Sequence, residues 1–255
     1  NFGNAVLSAN GDTKRPLLYL TIAGILNVIL NLFFVIVCKM AADGVALASV
    51  ISQYVSAILV VWHMMRLNDA CKFYFQRLRF HGDEVGRILG LGVPAGIQHM
   101  IFAIANLFIQ AAVNSFDSTM VSGNAAAANT DTIIYNIMMA FYTACSTFMG
   151  QNWGAGHKKR MMDSYLISLF YAFAIAAVLG VAFYFAGRPF LYVFTNSADV
   201  VEAGMQRMKI MCFSYAISAF MDNTIAACRG LGRTIVPTVV VIMGSCVFRV
   251  IWVYT

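Results

Sequence analysis

Charge is what this sequence has least of. Only 11% of its 255 residues are Asp, Glu, Lys or Arg, against 60% hydrophobic, and the mean hydropathy is +0.75. A soluble domain is about a quarter charged, so the scarcity excludes a water-covered globule and leaves a polytopic membrane protein with short connections. Acids are scarcer still, 11 against 17 Lys and Arg, for a net charge of +6. A basic surplus ordinarily suggests nucleic acid or anionic lipid. Here the cations fall in short loops between apolar runs, with no basic, aromatic-interleaved face to follow a phosphate backbone. The expected partner is therefore the lipid bilayer and not nucleic acid.

Other absences narrow the chemistry. The six cysteines (38, 71, 145, 212, 228 and 246) form no close pair, which excludes a disulfide framework or a zinc pattern. No nucleophile elbow, phosphate loop or paired-carboxylate motif is present. We expect no enzyme, no catalytic residue, no bound metal and no resident cofactor. No initiating Met and no charged-then-apolar leader opens the chain, which reads as a fragment of a longer polypeptide whose missing helices are its partners.

What is there in abundance is apolar sequence. A membrane-spanning helix needs about 20 mostly apolar residues, and seven such runs are present, near residues 17–38, 44–65, 89–114, 121–150, 161–186, 207–228 and 235–254. The fold expected is all-α. Pro94 and Pro237 are placed in the first turns of their helices, where a missing N–H costs little. Alternate loops hold 12 of the 17 cations (14, 15, 66, 72, 77, 79, 87, 158, 159, 160, 229 and 233). This bias puts those loops in the cytoplasm. Arg207 and Lys209 fall to the opposite side, while Arg249 stays inside a span.

Residues 4–16, NAVLSANGDTKRP, return as residues 223–237, NTIAACRGLGRTIVP. Each copy spans eight residues from an Asn to a Gly, and then reads Gly, one residue, Thr, two residues, Pro. The second copy holds two extra residues in the turn by this alignment. The prolines lie 221 residues apart (237 − 16). At roughly 35–40 residues per span with its loop, that interval is six spans. The repeat unit is then a six-helix bundle, duplicated in parallel, which is a transporter plan with the substrate path between the halves. Residues 1–65 end the first lobe with two helices, 66–88 form a cytoplasmic linker between lobes, and 89–255 supply five of the six helices of the second lobe. A seven-span receptor has no need of such a repeat.

Polar groups inside spans need partners. The third span carries Gln98, Asn106, Gln110 and Asn114, the last three on one face. The fourth carries a second stripe, Asn129, Asn136 and Thr143, with Tyr135 beside it. Together they outline a polar cavity. Asp222 is the sharpest residue, an acid amid FSYAISAFMDNTIAAC. A carboxylate at the bilayer centre costs about 2.5–3.5 kcal/mol on insertion scales, so it must be protonated, paired or hydrated. It is the candidate ion-coupling group, with an ion pair to Arg249 as the structural alternative. Asp117 and Asp131 are taken as solvated residues near the ends of the fourth span, and His99 as an interfacial histidine. The 15 methionines suit lipid contact or an adaptable apolar cavity.

Five segments carry a family resemblance: GDTKRP at 11–16, GVALASVISQ at 44–53, GVPAGIQ at 92–98, FMGQNWGAGHKKR at 148–160 and GSCVFRVIW at 244–252. At these separations the chain resembles the multidrug and toxic compound extrusion (MATE) family. The resemblance implies helices five to eleven of a twelve-helix antiporter with two six-helix lobes. It also implies export of cationic and amphipathic xenobiotics across the cytoplasmic membrane in exchange for H+ or Na+. Where one branch has an Asp in a pattern like LNxxLDxxF, this chain reads LNVILNLFF with Asn31, expected as a cavity residue. Asp222 falls on the tenth helix, where another branch has a cation-binding acid. The alternative reading is a lipid-intermediate flippase of similar plan, which calls for several cations on its cavity; Arg249 alone lies within a span.

Overall fold

The computed structural model describes residues 2–67 and 71–254, so residues 68–70 of the expected inter-lobe linker lie outside the described residues. Among the described residues the chain is helical, with no strand. Seven helices are long and apolar enough to cross a membrane: Lys14–Val37, Ala42–Arg66, Gly82–Val113, Ser118–Gly154, Lys158–Leu191, Ala198–Gly230 and Ile235–Trp252. They coincide with the seven apolar runs, and the second, fourth, fifth and sixth extend past them at both ends. The helix at Ser118–Gly154 has 37 residues, or about 55 Å, against a hydrocarbon core of about 30 Å. Its ends are polar because they outrun the apolar layer, and hydropathy cannot register that part of a helix.

Contacts divide the chain into two compact units, Asn1–Phe80 and His81–Thr255. The first contains α1 (Phe2–Ala9), α2 (Lys14–Leu32, continued by a π-helical turn at Phe33–Val37) and α3 (Ala42–Arg66). The buried residues of α3 are Gly44, Ala48, Ser52, Ser56 and Val60. Their spacing of four makes one narrow face of mostly small residues, against which α2 and α1 pack. A Cβ on Gly3 of α1 would stand 2.7 Å from Val60 Cγ1.

The second unit contains α4 (Gly82–Val113), α5 (Ser118–Gly154), α6 (Lys158–Leu191), α7 (Ala198–Gly230), α8 (Ile235–Val241), a π-helical turn at Ile242–Val247 and α9 (Phe248–Tyr254). Residues 82–88, read from sequence as linker, are the first turns of α4. Helices α5, α6 and α7 form the core, and small residues make its contacts. Ala127, Ala172, Ala176 and Ala219 are fully buried. A Cβ on Gly180 would collide with the carbonyl oxygen of Cys212, and one on Gly230 with that of Ser146. Lipid offers no hydrophobic drive to bring helices together, so close backbone approach through small residues supplies the packing. Large apolar side chains such as Phe170, Val178, Phe185, Ile210 and Ile217 point outward, as a bilayer-facing surface requires.

The repeated turns are the same structure. Gly11 and Gly232 both have positive φ, +89° and +75°. The amide of Asp12 donates to Leu7 O at 3.0 Å and that of Gly11 to Ser8 O at 3.0 Å; Arg233 donates to Cys228 O at 2.9 Å and Gly232 to Arg229 O at 2.9 Å. Each is a Schellman closure with glycine in the left-handed position. Every equivalent pair is 221 residues apart, so the second copy has no insertion in its turn. The two octads are instead two residues out of register, and Asn4 corresponds in structure to Ile225 and not to Asn223. A third turn, at Gly156 (φ +75°), closes in the same way.

Pro94 also departs from expectation. It lies in the interior of α4, because the helix starts at Gly82. A proline there cannot donate to the carbonyl four residues back, which belongs to Gly90. The hydroxyl of Thr234 donates to that carbonyl at 3.4 Å, so the turn before α8 satisfies the gap that Pro94 leaves.

Candidate functional site

A cavity of about 600 Å³ lies within the second unit, between α4, α5, α7 and α9. Its α5 wall runs from Tyr135 through Met139, Tyr142 and Thr143 to Ser146 and Thr147, and its α7 wall includes Tyr215, Ser218, Met221, Asp222, Ile225 and Arg229. Both sets follow a helix period of three and four. On α7, Tyr215, Asp222 and Arg229 are spaced by seven and share one face. The next residue, Asn223, fixes which face that is. It is fully buried; its Oδ1 accepts from Ser168 Oγ of α6 at 3.0 Å, and its main-chain oxygen from the Cys145 thiol of α5 at 3.9 Å. With Asn223 locked into the core, Asp222 is turned about 100° away, onto the cavity wall.

Asp222 has no hydrogen bond or ion pair among the described residues. The expected alternative, a bridge to Arg249, does not form: Arg249 Nη1 donates to Asn106 Oδ1 at 3.1 Å. Arg229, which the loop count placed outside the spans, reaches the same wall. Its Nη2 donates to Gln98 Oε1 at 3.1 Å, an oxygen that also accepts from Thr238 Oγ1 at 3.1 Å. The Tyr142 hydroxyl and Arg229 Nε are buried with no hydrogen-bond partner among the described residues. The site thus collects a carboxylate, two guanidinium groups, phenols and methionine in a space that can hold a small amphipathic molecule.

Of the sequence candidates, Gln98, Asn106, Tyr135, Thr143, Asp222 and Arg249 all line this cavity, as does His99. Gln110, Asn129 and Asn136 do not. Gln110 Nε2 donates to Asn114 Oδ1 at 2.9 Å, and Asn129 Nδ2 to the Ala125 carbonyl of its own helix at 3.3 Å. Asn129 precedes Tyr135 by six residues, about 9 Å, and so lies beyond the end of the cavity. Asn136 sits at the edge of the α5 stripe and is exposed. Asn31 belongs to the first unit, where its amide donates to Asn27 Oδ1 at 3.0 Å. Asn27, but not Asn31, lines a separate cavity there of about 700 Å³ with neutral polar walls that include Asn4, Ser49, Ser52 and Ser56.

Asp131 corrects the sequence reading most sharply. It is paired and not left to solvent alone: Arg207 Nη2 and the Tyr215 hydroxyl both donate to its carboxylate, while Arg207 Nη1 donates to Asn124 Oδ1. Helix α7 begins at Ala198 and not near Arg207, so Arg207 lies within the helix and clamps it to α5. The clamp also fixes Tyr215, whose ring is part of the cavity wall. Asp117 caps α5, its carboxylate accepting from the Thr119 amide at 3.3 Å; hydrogen bonds from Thr119 hold its pKa below the ordinary carboxylate value.

Breaking one side of the Arg207–Asp131 pair strands a partly buried charge. Asp131→Ala is expected to lower thermal stability more than the double change Asp131→Asn with Arg207→Met. The single change should cost less than the about 3–5 kcal/mol of a fully buried pair, because each side chain keeps about a quarter of its surface exposed. Melting of the purified full-length variants in detergent gives the order.

The signal for Arg229 and Tyr215 was the seven-residue spacing on either side of Asp222. For Asp131 and Arg207 no local signal exists, since they are 76 residues apart.

The family model MatE matches residues 94–255. The probable multidrug resistance protein YpnP of Bacillus subtilis is 31% identical over 215 residues, 84% of this chain and 48% of that protein. A protein named FAD transporter from Shewanella oneidensis is 25% identical over 209 residues, 78% of this chain and 45% of its own length. The chain spans about half the length of these curated relatives. A solved outward-facing structure of a multidrug resistance MATE family transporter superposes with a TM-score of 0.91 at 19% identity, covering 99% of this chain and 57% of that one. At that identity the likeness shows the fold.

Proposed function

Because the chain belongs to the MatE family, we propose that it is part of a multi-pass transporter that exports amphipathic or cationic small molecules across the cytoplasmic membrane in exchange for H+ or Na+. In this reading residues 1–65 end a first six-helix lobe, the linker runs on to the start of α4, and the remaining helices form most of a second lobe. The basic turns at Gly11, Gly156 and Gly232 face the cytoplasm, where the positive-inside bias places them.

The observation that carries the reading is the carboxylate of Asp222, without a hydrogen bond or ion pair among the described residues, on the wall of a cavity whose other lining includes Met, Tyr, Ser and two Arg side chains that bond to amide oxygens elsewhere. One carboxylate can be neutralised by a proton, by Na+ or by a cationic substrate, but not by two of them together. Competition for one negative group gives exchange, because each ligand stabilises a different state of the transporter. Methionine supplies an adaptable surface for substrates of varied shape, and the candidate cavity residues Gln98, Asn106, Tyr135 and Thr143 supply hydrogen bonds.

Full-length protein in liposomes, loaded with ethidium and given either a pH gradient or a Na+ gradient, tests this. One gradient is expected to drive ethidium movement that ionophores collapse. Movement that neither gradient affects would overturn the reading. A second reading, the flipping of an anionic lipid intermediate, draws on Arg229 and Arg249, two guanidinium groups on the wall where sequence had found one. It requires that a labelled anionic lipid cross faster than ethidium in the same liposomes.

A further inference from the structure

Asp222 and Arg229 reach the same cavity from one face of α7, two turns and about 10 Å apart along its axis. They do not touch. Arg229 is turned toward α4, where its contact is a neutral amide oxygen, Gln98 Oε1, shared with Thr238. A guanidinium has five N–H donors, and Nε of Arg229 is buried without a partner among the described residues. Within electrostatic reach stands a carboxylate with no hydrogen bond or ion pair among those residues. A loosely held cation and an unpaired acid in one cavity have an evident second arrangement, in which they pair.

The other ionisable groups on this wall are His99 from α4, Tyr135 and Tyr142 from α5, Tyr215 from α7, whose hydroxyl donates to Asp131, and Arg249 from α9. Arg249 donates to Asn106 at 3.1 Å, and none of the three tyrosine hydroxyls is hydrogen-bonded to the Asp222 carboxylate. Helices α6 and α8 contribute no ionisable group to the wall. Arg229, on the same face of the same helix as Asp222 and with its Nε unpartnered among the described residues, is the cation placed to answer a charge on Asp222.

We propose that Arg229 is a tethered competitor of the coupling ion, swinging from Gln98 to Asp222 when the carboxylate is empty and returning when H+ or Na+ occupies it. The inference rests on reading Asp222 as the coupling acid. It supplies what that reading lacks, a means of expelling the ion and a consequence of doing so. Gln98 ties α4, α7 and α8 together through its one oxygen. When Arg229 leaves, the α4–α7 tie is lost while the α4–α8 tie remains. Ion occupancy then biases how α4 is held, which is the differential contact that a two-state transporter requires.

Ethidium transport by the full-length protein in liposomes, titrated with protons and with Na+ in turn, tests the proposal. Arg229→Gln removes the competitor, and the ion concentration for half-maximal transport is expected to fall about tenfold, as for loss of one charge near a partly solvated site. Gln98→Leu removes the competitor's alternative partner, so the same quantity is expected to rise. Arg229→Lys, which keeps the charge, should stay close to wild type. A merely structural role gives no such opposition of sign. Unchanged half-maximal concentrations, or shifts of the same sign in Arg229→Gln and Gln98→Leu, would overturn the proposal. If Arg229→Gln does not accumulate in the membrane, Gln98→Leu against Arg229→Lys decides it alone. Should Asp222→Asn leave ion dependence intact, the coupling reading itself falls; if Asp222→Asn abolishes it and the Arg229 variants do not shift, only the competitor fails.

Discussion

Asp222→Asn in the full-length protein is expected to abolish ion-driven ethidium efflux while leaving the protein as stable as before, or more so. Two effects act, and they have opposite signs. The amide is nearly isosteric but cannot exchange a proton or hold Na+ by charge, so the coupling free energy at this site disappears. Such couplings amount to about 5- to 150-fold in affinity, and without one the ion gradient no longer drives efflux. Stability moves the other way, because Asp222 makes no hydrogen bond or ion pair among the described residues that the change could break, and an ionised acid in a span costs about 2.5–3.5 kcal/mol on insertion scales. Efflux in liposomes and melting in detergent, measured on the same preparations, separate the two. Wild-type efflux in the variant would remove Asp222 from the mechanism; a large loss of stability would mean that the carboxylate has a structural partner in the complete transporter.

The second large effect concerns the fold. Gly180→Leu should prevent the α5–α6–α7 core from forming. A Cβ at this position would overlap the carbonyl oxygen of Cys212 and come within 3.1 Å of its carbonyl carbon. Both are backbone atoms of α7, so no rotamer change relieves the clash and the helices must separate. Overpacking typically costs about 1–3 kcal/mol where side chains can adjust, so Gly180→Ala should lower the melting temperature and Leu should abolish folded protein. Because the obstacle is backbone, Cys212→Ala should not rescue either variant. Rescue would show that α6 and α7 are farther apart than described.

The legibility of this protein varies from residue to residue. Seven spans were readable because each must bury about 20 apolar residues in lipid, a constraint met within one segment. The duplicated turn was readable because only glycine suits the left-handed closure at positions 11 and 232. Its internal register was not, since an Asn-to-Gly match in sequence competed with a hydrogen-bond pattern that sequence does not display. Pro94 was misplaced because the polar first turns of α4 look like loop on a hydropathy scale. Half of the polar candidates reached the cavity. Gln110 and Asn129 failed because helical phase fixes a direction but not the depth at which the cavity ends, Asn136 because it sits at the edge of its stripe, and Asn31 because it belongs to the first unit.

Taken alone, the sequence determined the membrane class, the number of spans, the six-helix repeat, the family and the presence of one acid within an apolar helix. All of these follow from composition, period or short motifs, which act over a few turns of chain. Tertiary structure decided the pairings: Asp131 with Arg207, Arg249 with Asn106, and Arg229 with Gln98 in place of Asp222. These partners come from helices 76, 143 and 131 residues apart. A charge buried in a low-dielectric bundle takes whichever partner the packing of small residues brings within 3 Å or so, and no local pattern records that choice.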